Sequence, residues 1–218
     1  MHHRNHHRNP HRMAVLGLPI AMGLFGALSG CASTTIESTG QPMPRPLCSS
    51  PSPAASDTPV SVAVLWGPWW RPDQKEPPLR EAAALKGIQQ FFAAQRCVTD
   101  LTIERITIPA QREQLSDTAL LEMAKARSPH ADKAILIVVR ELGPKLRIGL
   151  PMLVAGGTEV VVEVRVVDAK RQATEATVQT HWQKGGPFYI KGVKTLDLDM
   201  QTTLASVFVA PSSPLQQP

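Results

Sequence analysis

Hydrophobic and polar residues follow two different spacings early in the chain, and each spacing predicts an element. Residues 60–65 form a short, Val-rich apolar run bounded by proline and glycine, which is typical of a buried strand. Residues 79–95 repeat apolar side chains at helical spacing, as at Leu85, Ile88 and Phe92, so one face of a helix is expected to pack on a core. The domain is therefore predicted to begin with a strand and an amphipathic helix.

The next stretch predicts further strands around a second helix. Residues 101–108 carry isoleucines that indicate a second strand with a bulge, and Asp117 is placed to cap a second helix. Residues 134–139 are continuously apolar, as expected for a central strand covered on both faces. Gly143-Pro144 is interpreted as a turn into another strand at 145–150.

The clearest pattern predicts a long β-hairpin. Valines at alternate positions from Val160 to Val166 indicate one buried face, and a short turn leads to an alternating partner strand at 173–182. A final amphipathic helix is predicted within 196–208. This order of elements predicts an α/β fold of the α+β sandwich type within residues 59–210. A mixed, mostly antiparallel sheet is expected to carry about three helices.

The first 30 residues have the pattern of a secretory signal peptide. A basic, histidine-rich start precedes an almost wholly apolar run from Met13 to Gly30, which Pro19 and several glycines interrupt. A membrane-spanning helix needs about 20 apolar residues with few breaks, so this shorter run is interpreted as the apolar part of a signal peptide. The repeated histidines leave a metal site as the alternative to a basic leader.

The end of this leader, Leu28-Ser29-Gly30-Cys31, resembles the lipobox of bacterial lipoproteins. The resemblance implies cleavage after Gly30 and a diacylglycerol on Cys31, so that membrane lipid is the first expected partner. In such lipoproteins an aspartate after the cysteine often retains the protein in the inner membrane. Ala32 stands there instead, which favours the outer membrane, with the domain facing the periplasm. A plain signal peptide followed by a coincidental cysteine is the alternative.

Removal of the leader changes the charge of the chain. The full sequence carries 23 basic and 18 acidic residues, a net charge of +5, but Arg4, Arg8 and Arg12 all lie in the leader. The expected mature chain is close to neutral, and it lacks the clustered basic residues of a nucleic-acid-binding surface. Nucleic acid is therefore not expected among its partners.

Residues 31–58 are predicted to form a lipidated, unstructured tether, because they are rich in Pro, Ser and Thr and carry few large apolar side chains. The tail at 211–218 is expected to be unstructured too. Once Cys31 is acylated, Cys48 and Cys97 remain, and an even pair in an oxidising, exported compartment is usually bridged. A Cys48–Cys97 disulfide is predicted, with two unrelated thiols as the alternative.

Motifs for catalysis or cofactor binding are missing from the sequence. There is no nucleophile elbow and no phosphate-binding loop, and Gly156-Gly157 is interpreted as a turn. Only His130 and His181 remain outside the leader, without the spacing of a zinc site. Asp197 and Asp199 lie too close together on a helix to face each other. The chain is therefore expected not to be an enzyme and to hold neither metal nor cofactor.

The segment from Trp66 to Arg71 is the strongest lead to a binding surface. Trp66, Trp69 and Trp70 are three of the four tryptophans, and they come directly after the first predicted strand. Exposed indoles beside an arginine suit contacts with a protein or a glycan, so these three tryptophans and Arg71 are predicted to bind a partner. The alternative is that the rings close one end of the core or cover an edge of the sheet.

The lipobox, the proline-rich tether and the element order of residues 60–209 resemble a group of bacterial envelope lipoproteins. The group includes the activator lipoprotein of penicillin-binding proteins, the curli secretion-channel lipoprotein and the N-terminal domain of the Tol-system propeller protein. The resemblance lies in element order, so no functional residue carries over. It implies a non-enzymatic module that binds an envelope protein or a cell-wall partner. The alternatives are an auxiliary lipoprotein of a lipid or solute transport system and a hydrolase.

Overall fold

In the computed structural model, strands of the described residues form one mixed sheet with helices on both faces. The structure describes residues 32–48, 58–111, 115–149, 153–187, 189 and 192–209. Its strands are β1 Ser33–Gln41, β2 Val60–Pro68, β3 Val98–Arg105, β4 Lys133–Gly149, β5 Leu153–Asp168 and β6 Ala173–Pro187. Its helices are α1 Pro77–Ala93, α2 Asp117–Arg127 and α3 Leu196–Phe208, the last preceded by a short 3-10 turn at Val193–Thr195.

The strands are arranged in the order β1-β6-β5-β4-β2-β3. β2 runs parallel to both of its neighbours, β3 and β4, while the pairs β1–β6, β4–β5 and β5–β6 are antiparallel. The predicted hairpin is the β5–β6 pair. The structure therefore confirms the predicted α/β fold, a mixed and mostly antiparallel sheet with three helices packed on it.

The helices define two hydrophobic cores, one on each face of the sheet. α1 and α3 pack on the first face, where Phe91, Phe92 and Phe208 contact one another above the inward valines of β5. α2 packs on the second face, where Leu120 and Leu121 contact β2 and β4. Because β2 and β4 are covered on both faces, their sequences are apolar at successive positions instead of alternating.

Two predicted element boundaries differ from the structure. Ser116, and not Asp117, caps α2, because its Oγ accepts a backbone N–H of the first turn at 3.2 Å. β3 ends at Arg105, so Ile106 and Ile108 lie beyond the strand. The N–H of Ile106 instead donates to the carbonyl of the neighbouring strand β2 at 2.7 Å, which keeps the chain beside the sheet after the strand has ended.

The predicted turn at Gly143-Pro144 is wrong, because β4 runs through both residues to its end. Beyond Val139, β4 no longer pairs with β2, and proline is tolerated in a strand with one unpaired side. Gly156-Gly157, also predicted as a turn, lies within β5. A Cβ on Gly157 would lie 2.6 Å from the carbonyl oxygen of Lys184 on β6, so the close approach of the two strands requires glycine there.

The prediction of an unstructured tether is wrong over residues 33–41, which form the edge strand β1. This strand pairs antiparallel with β6 along its whole length, and all nine of its residues are exposed. Threonine favours extended backbone, and the ladder with β6 satisfies the backbone polar groups. A strand that buries neither face leaves no hydrophobic pattern in the sequence. The tether residues 49–57, the tail 211–218 and Cys31 with its leader lie outside the described residues.

The segment that follows β1 folds back over the first core. Met43 and Leu47 pack against that core, and the N–H of Leu47 donates to the carbonyl oxygen of Phe208 at 3.1 Å. A disulfide joins Cys48 to Cys97, with their Cα atoms 5.4 Å apart. The predicted bridge is confirmed, and it fastens this segment to the body of the domain.

Candidate functional site

The aromatic segment that was expected to bind a partner lies at the carboxyl end of β2. Trp66 is 1% exposed and belongs to the first core, so it is not accessible to a partner. Trp69 and Trp70 are half-buried; Trp69 packs against the second core and Trp70 against the first. These rings pack on the two cores at one end of β2. A partner contact through Trp69 or Trp70 stays a prediction.

Arg71, the fourth residue of that prediction, is bound to a buried carboxylate. Its Nε lies 3.2 Å from Oε2 of Glu141, while Nη1 of Arg80 lies 3.5 Å from Oε1 of the same side chain. Nε2 of Gln74 also donates to that Oε1 at 3.1 Å. Although 61% of its side chain is exposed, Arg71 belongs to a network that fastens the loop after β2 to β4.

A concave site lies at the other, amino end of β2. It is a cleft of about 570 Å³, within the range of about 300–1,000 Å³ that is usual for small-molecule sites. We call it the charged cleft. It lies between residues 43–47 and 58–60 on one side and, on the other, Asp132, Lys133, Asp168, Lys170, Arg171 and Glu175.

The first wall of the charged cleft is mostly apolar and is held at both ends. The ladder between β1 and β6 fixes its start, and the disulfide at Cys48 fixes its end. Pro44 and Pro46 flank the exposed Arg45 and restrict the backbone on either side of it. Arg45 is therefore presented at the cleft by a segment with little conformational freedom.

The second wall is organised around Lys133, the first residue of β4. Its Nζ lies 2.9 Å from Oδ2 of Asp168 and 2.6 Å from Oε1 of Glu175. Asp168 also closes the β5–β6 turn, because its Oδ1 accepts the backbone N–H groups of Lys170 and Arg171, each at 2.9 Å. One lysine thus contacts two carboxylates at the point where the turn is fixed.

Both aspartates of the cleft are ionised at neutral pH. A hydrogen bond from the side chain of Lys170 and another from the N–H of Ser61 lower the pKa of Asp132. Burial by itself would raise the pKa of Asp168, but hydrogen bonds from Lys133 and from two N–H groups of the turn outweigh it and lower this pKa to about 2. Neither carboxyl group is poised to exchange a proton near neutral pH.

Two guanidinium groups of the charged cleft lack an acidic partner in the described part of the chain. They belong to Arg45 and Arg171, and both residues are exposed. The cleft is lined by four basic and three acidic side chains, and lysines already pair with all three acids. With four basic and three acidic side chains, the described lining therefore has a net charge of +1, and the two arginines are its cations without an acidic partner.

A second polar cluster surrounds His181, which the sequence places on the more polar face of its strand. His181 is half-buried, and its Nε2 lies 3.3 Å from Oε2 of Glu159, which Lys145 also contacts. Burial by itself would raise the pKa of Glu159, but the bonds from Lys145 and His181 outweigh it and lower the pKa. Neither His181 nor the exposed His130 has a hydrogen bond to a Ser, Thr or Cys side chain among the described residues, so a nucleophile and base are not assembled there.

The remaining sequence candidates are also separated by the fold. Asp197 pairs with Lys86 at 2.7 Å, whereas Oδ2 of Asp199 accepts the hydroxyl of Thr158 at 2.9 Å, so the two carboxylates serve different contacts. Within the described ranges, no group of three His, Cys, Asp or Glu side chains is placed to hold a metal ion. None of the helices described has the length and apolar character to cross a membrane.

Comparison with known proteins gives distant structural likenesses. Neither a protein-family model nor a curated protein matches the chain. Among solved structures, the chain is similar to the PelC dodecamer from Paraburkholderia phytofirmans, with a TM-score of 0.45, 16% identity, and coverage of 81% of this chain and 99% of that one. It is also similar to the hypothetical protein CT253 from Chlamydia trachomatis, with a TM-score of 0.36, 14% identity, and coverage of 68% and 91%. The resemblance to the lipoprotein group stays a prediction, and the function has to be inferred from the residues of this chain.

The charged cleft is not apparent in the sequence. A local signal exists at the β5–β6 turn, where Asp168 precedes two basic residues. Lys133, however, comes from the start of another strand, and Arg45 from a stretch that has the composition of a tether. Only the folded chain brings these groups to one site.

Proposed function

We propose that this protein is a lipid-anchored, non-enzymatic binding module of the bacterial cell envelope. It is held in the outer membrane through Cys31, faces the periplasm, and binds a component of an envelope protein or of the cell wall in the charged cleft. The observation that carries the proposal is the construction of this cleft. One of its walls depends on the Cys48–Cys97 disulfide, and structural disulfides form and persist in exported, oxidising compartments.

The position of β1 supports an anchor close to the domain. β1 begins at Ser33, two residues after Cys31. A chain of two residues spans at most about 7 Å, so a lipid on Cys31 would hold this end of the sheet at the membrane surface. The long spacer expected from the composition of residues 31–58 is replaced by a strand of the domain itself.

The charges of the cleft support binding over catalysis. A general acid or base needs a pKa near the working pH, whereas the pKa values of Asp132 and Asp168 are lowered and both carboxylates pair with lysines. These acids organise the second wall. What they leave available to a ligand is the surplus positive charge of the two arginines.

Membrane fractionation of the full chain, expressed in a bacterium, tests the anchor. The wild-type chain is expected in the membrane fraction, with the mass of acyl chains on the peptide that begins at Cys31. Cys31→Ser is expected to leave that fraction or to stay unprocessed. Cys48→Ser is the matched control, because it removes a cysteine that is not the anchor, and it should remain with the membrane. If Cys31→Ser fractionates like the wild type, the proposed anchor is wrong.

A second candidate function is that of an auxiliary lipoprotein in a lipid or solute transport system, and a second pocket favours it. This pocket of about 320 Å³ lies beside the second core, and Ile108, Leu115, Leu136 and Val138 supply its apolar lining. An acyl chain binds in pockets of this character. Titration with a fluorescent fatty acid tests it, and a lack of saturable binding would remove this candidate.

A further inference from the structure

We propose that the charged cleft is an oxyanion site, in which the guanidinium groups of Arg45 and Arg171 bind a carboxylate or phosphate group on a small molecule with an apolar body. The inference rests on the proposed function, because it names the ligand chemistry of that binding site.

The distribution of charge in the cleft identifies the sign of the ligand. Lys133 lies within 3 Å of carboxylate oxygens of both Asp168 and Glu175, at 2.9 and 2.6 Å, and Lys170 lies 2.7 Å from Asp132. These pairs satisfy every acidic side chain that lines the cleft. Among the described residues that line the cleft, the cations without an acidic partner are therefore the guanidinium groups of Arg45 and Arg171, and the net charge of this lining is +1.

The concave shape changes what these exposed arginines can do. On an open surface, water screens an arginine and an ion pair contributes little. A cleft with an apolar wall displaces part of that water and focuses the field of the charges that line it. A guanidinium group also presents parallel N–H donors that match the two oxygens of a carboxylate or phosphate.

The backbone at both arginines is held by structure that exists before any ligand arrives. The backbone N–H of Arg171 donates to Oδ1 of Asp168 at 2.9 Å, and the next residue, Gln172, takes a left-handed conformation with φ of 52° that completes the tight turn. Arg45 has a proline on either side and lies three residues before the bridged Cys48. This preorganisation of the backbone lowers part of the entropic cost of binding, and the ligand orders the two guanidinium groups.

The opposite wall indicates the rest of the ligand. Met43, Leu47, Pro59 and Val60 line the same cleft, and they offer apolar contacts but no charge. The cleft has room for far more than a free inorganic ion, since its volume is about 570 Å³. The ligand is therefore expected to combine an acidic group with an apolar body.

Isothermal titration calorimetry on the full chain in detergent tests this proposal. The probes are phenyl phosphate and benzoate, with benzyl alcohol as the uncharged control, all at one ionic strength set with chloride. R45Q, R171Q and the double variant remove guanidinium groups that are exposed and form no hydrogen bond or ion pair with the described residues. Arg96→Gln is the matched control, because Arg96 is an exposed arginine outside the cleft.

The wild type is expected to bind at least one anionic probe and to bind benzyl alcohol much more weakly. Loss of either guanidinium should lower the affinity about tenfold, as expected for hydrogen bonds to a charged group, while Arg96→Gln leaves it unchanged. A preference for phenyl phosphate identifies phosphate as the natural group, and a preference for benzoate identifies carboxylate. Equal affinities of the wild type and the double variant, no binding of either anion, or equally strong binding of benzyl alcohol would overturn the proposal.

Two further measurements separate this proposal from the anchor and from folding. Circular dichroism and the melting temperature of the double variant should equal those of the wild type, and the variant should still fractionate with the membrane. If anion binding is absent while Cys31-dependent fractionation holds, the oxyanion site alone is wrong. If anion binding holds while Cys31→Ser stays with the membrane, the anchor alone is wrong.

Discussion

Replacing Asp168 with asparagine removes the negative charge that joins β4 to the β5–β6 turn. The substitution keeps the shape of the side chain, and its carbonyl oxygen can still accept the N–H groups of Lys170 and Arg171 that Oδ1 accepts now. What it loses is the charged contact with Nζ of Lys133 at 2.9 Å. The variant therefore isolates the electrostatic part of this contact from the geometry of the turn.

The size of the effect follows from the pKa of Asp168, which the fold lowers from 3.8 to about 2. Each pKa unit corresponds to about 1.4 kcal/mol, which sets an upper bound near 2.5 kcal/mol. Because the asparagine can keep the two hydrogen bonds of the turn, which supply part of this pKa shift, we expect a smaller loss of about 1 kcal/mol. The folded pKa lies below the ordinary one, so this stabilisation is complete above about pH 4 and is lost as the pH falls through about 2.

Urea unfolding of both proteins at about pH 7 and about pH 2 measures the effect. The free energy of unfolding of Asp168→Asn is expected to lie about 1 kcal/mol below the wild-type value near neutral pH, and the difference should vanish in acid. Asp73→Asn is the control, because the Asp73 side chain is 78% exposed and lies 3.7 Å from Arg71; its effect should stay within about 0.5 kcal/mol at both pH values. A difference for Asp168→Asn that is independent of pH would refute the reasoning.

Three further variants test the packing around the site. Trp66→Ala should lower the free energy of unfolding by about 3–5 kcal/mol, because the ring is 1% exposed in the first core; a loss below about 1 kcal/mol in urea unfolding would contradict that burial. Gly87→Ala should lower the melting temperature, because the new Cβ would lie 2.6 Å from Cβ of Met200 on α3. This clash should outweigh the advantage of about 1 kcal/mol that alanine has over glycine in a helix. A higher melting temperature would mean that α1 and α3 are further apart. The double variant Cys48→Ser/Cys97→Ser should lower the free energy of unfolding by up to about 4 kcal/mol, because the bridge joins residues 49 positions apart. Urea unfolding that matches the oxidised wild type would show that residues 42–48 are fixed without the bridge.

The sequence predicts the elements whose burial follows a regular period. Buried and more exposed residues alternate along most of β5 and β6 because one face of the hairpin lies on the first core. α1 repeats its apolar residues at Ile88 and Phe92 because one face packs on the same core. The short runs at β2 and β4 are recognisable because both of their faces are covered. In each of these elements the pattern of apolar and polar residues follows the burial of the single positions, so the pattern is enough to predict the element.

The errors arise where burial does not vary along the chain or where a residue has a less common role. β1 is exposed at every position and therefore looks like a tether. Pro144 lies inside β4 because that part of the strand has a single neighbour, which composition does not reveal. Trp66 belongs to the core although indoles beside an arginine are typical of binding surfaces.

The sequence by itself predicted the strands and helices that have a buried face, the pairing of Cys48 with Cys97, and a lipid on Cys31. Only the tertiary structure decided that β1 pairs with β6 at the edge of the sheet. It also decided that residues 43–47 form a wall of the charged cleft and that Arg45 shares this cleft with Arg171. The physical reason is the range of the interactions. Periodicity records how each residue partitions between water and a core. The pairing of β1 with β6 and the sharing of one cleft by Arg45 and Arg171 instead join residues more than a hundred positions apart, and such contacts leave no local pattern.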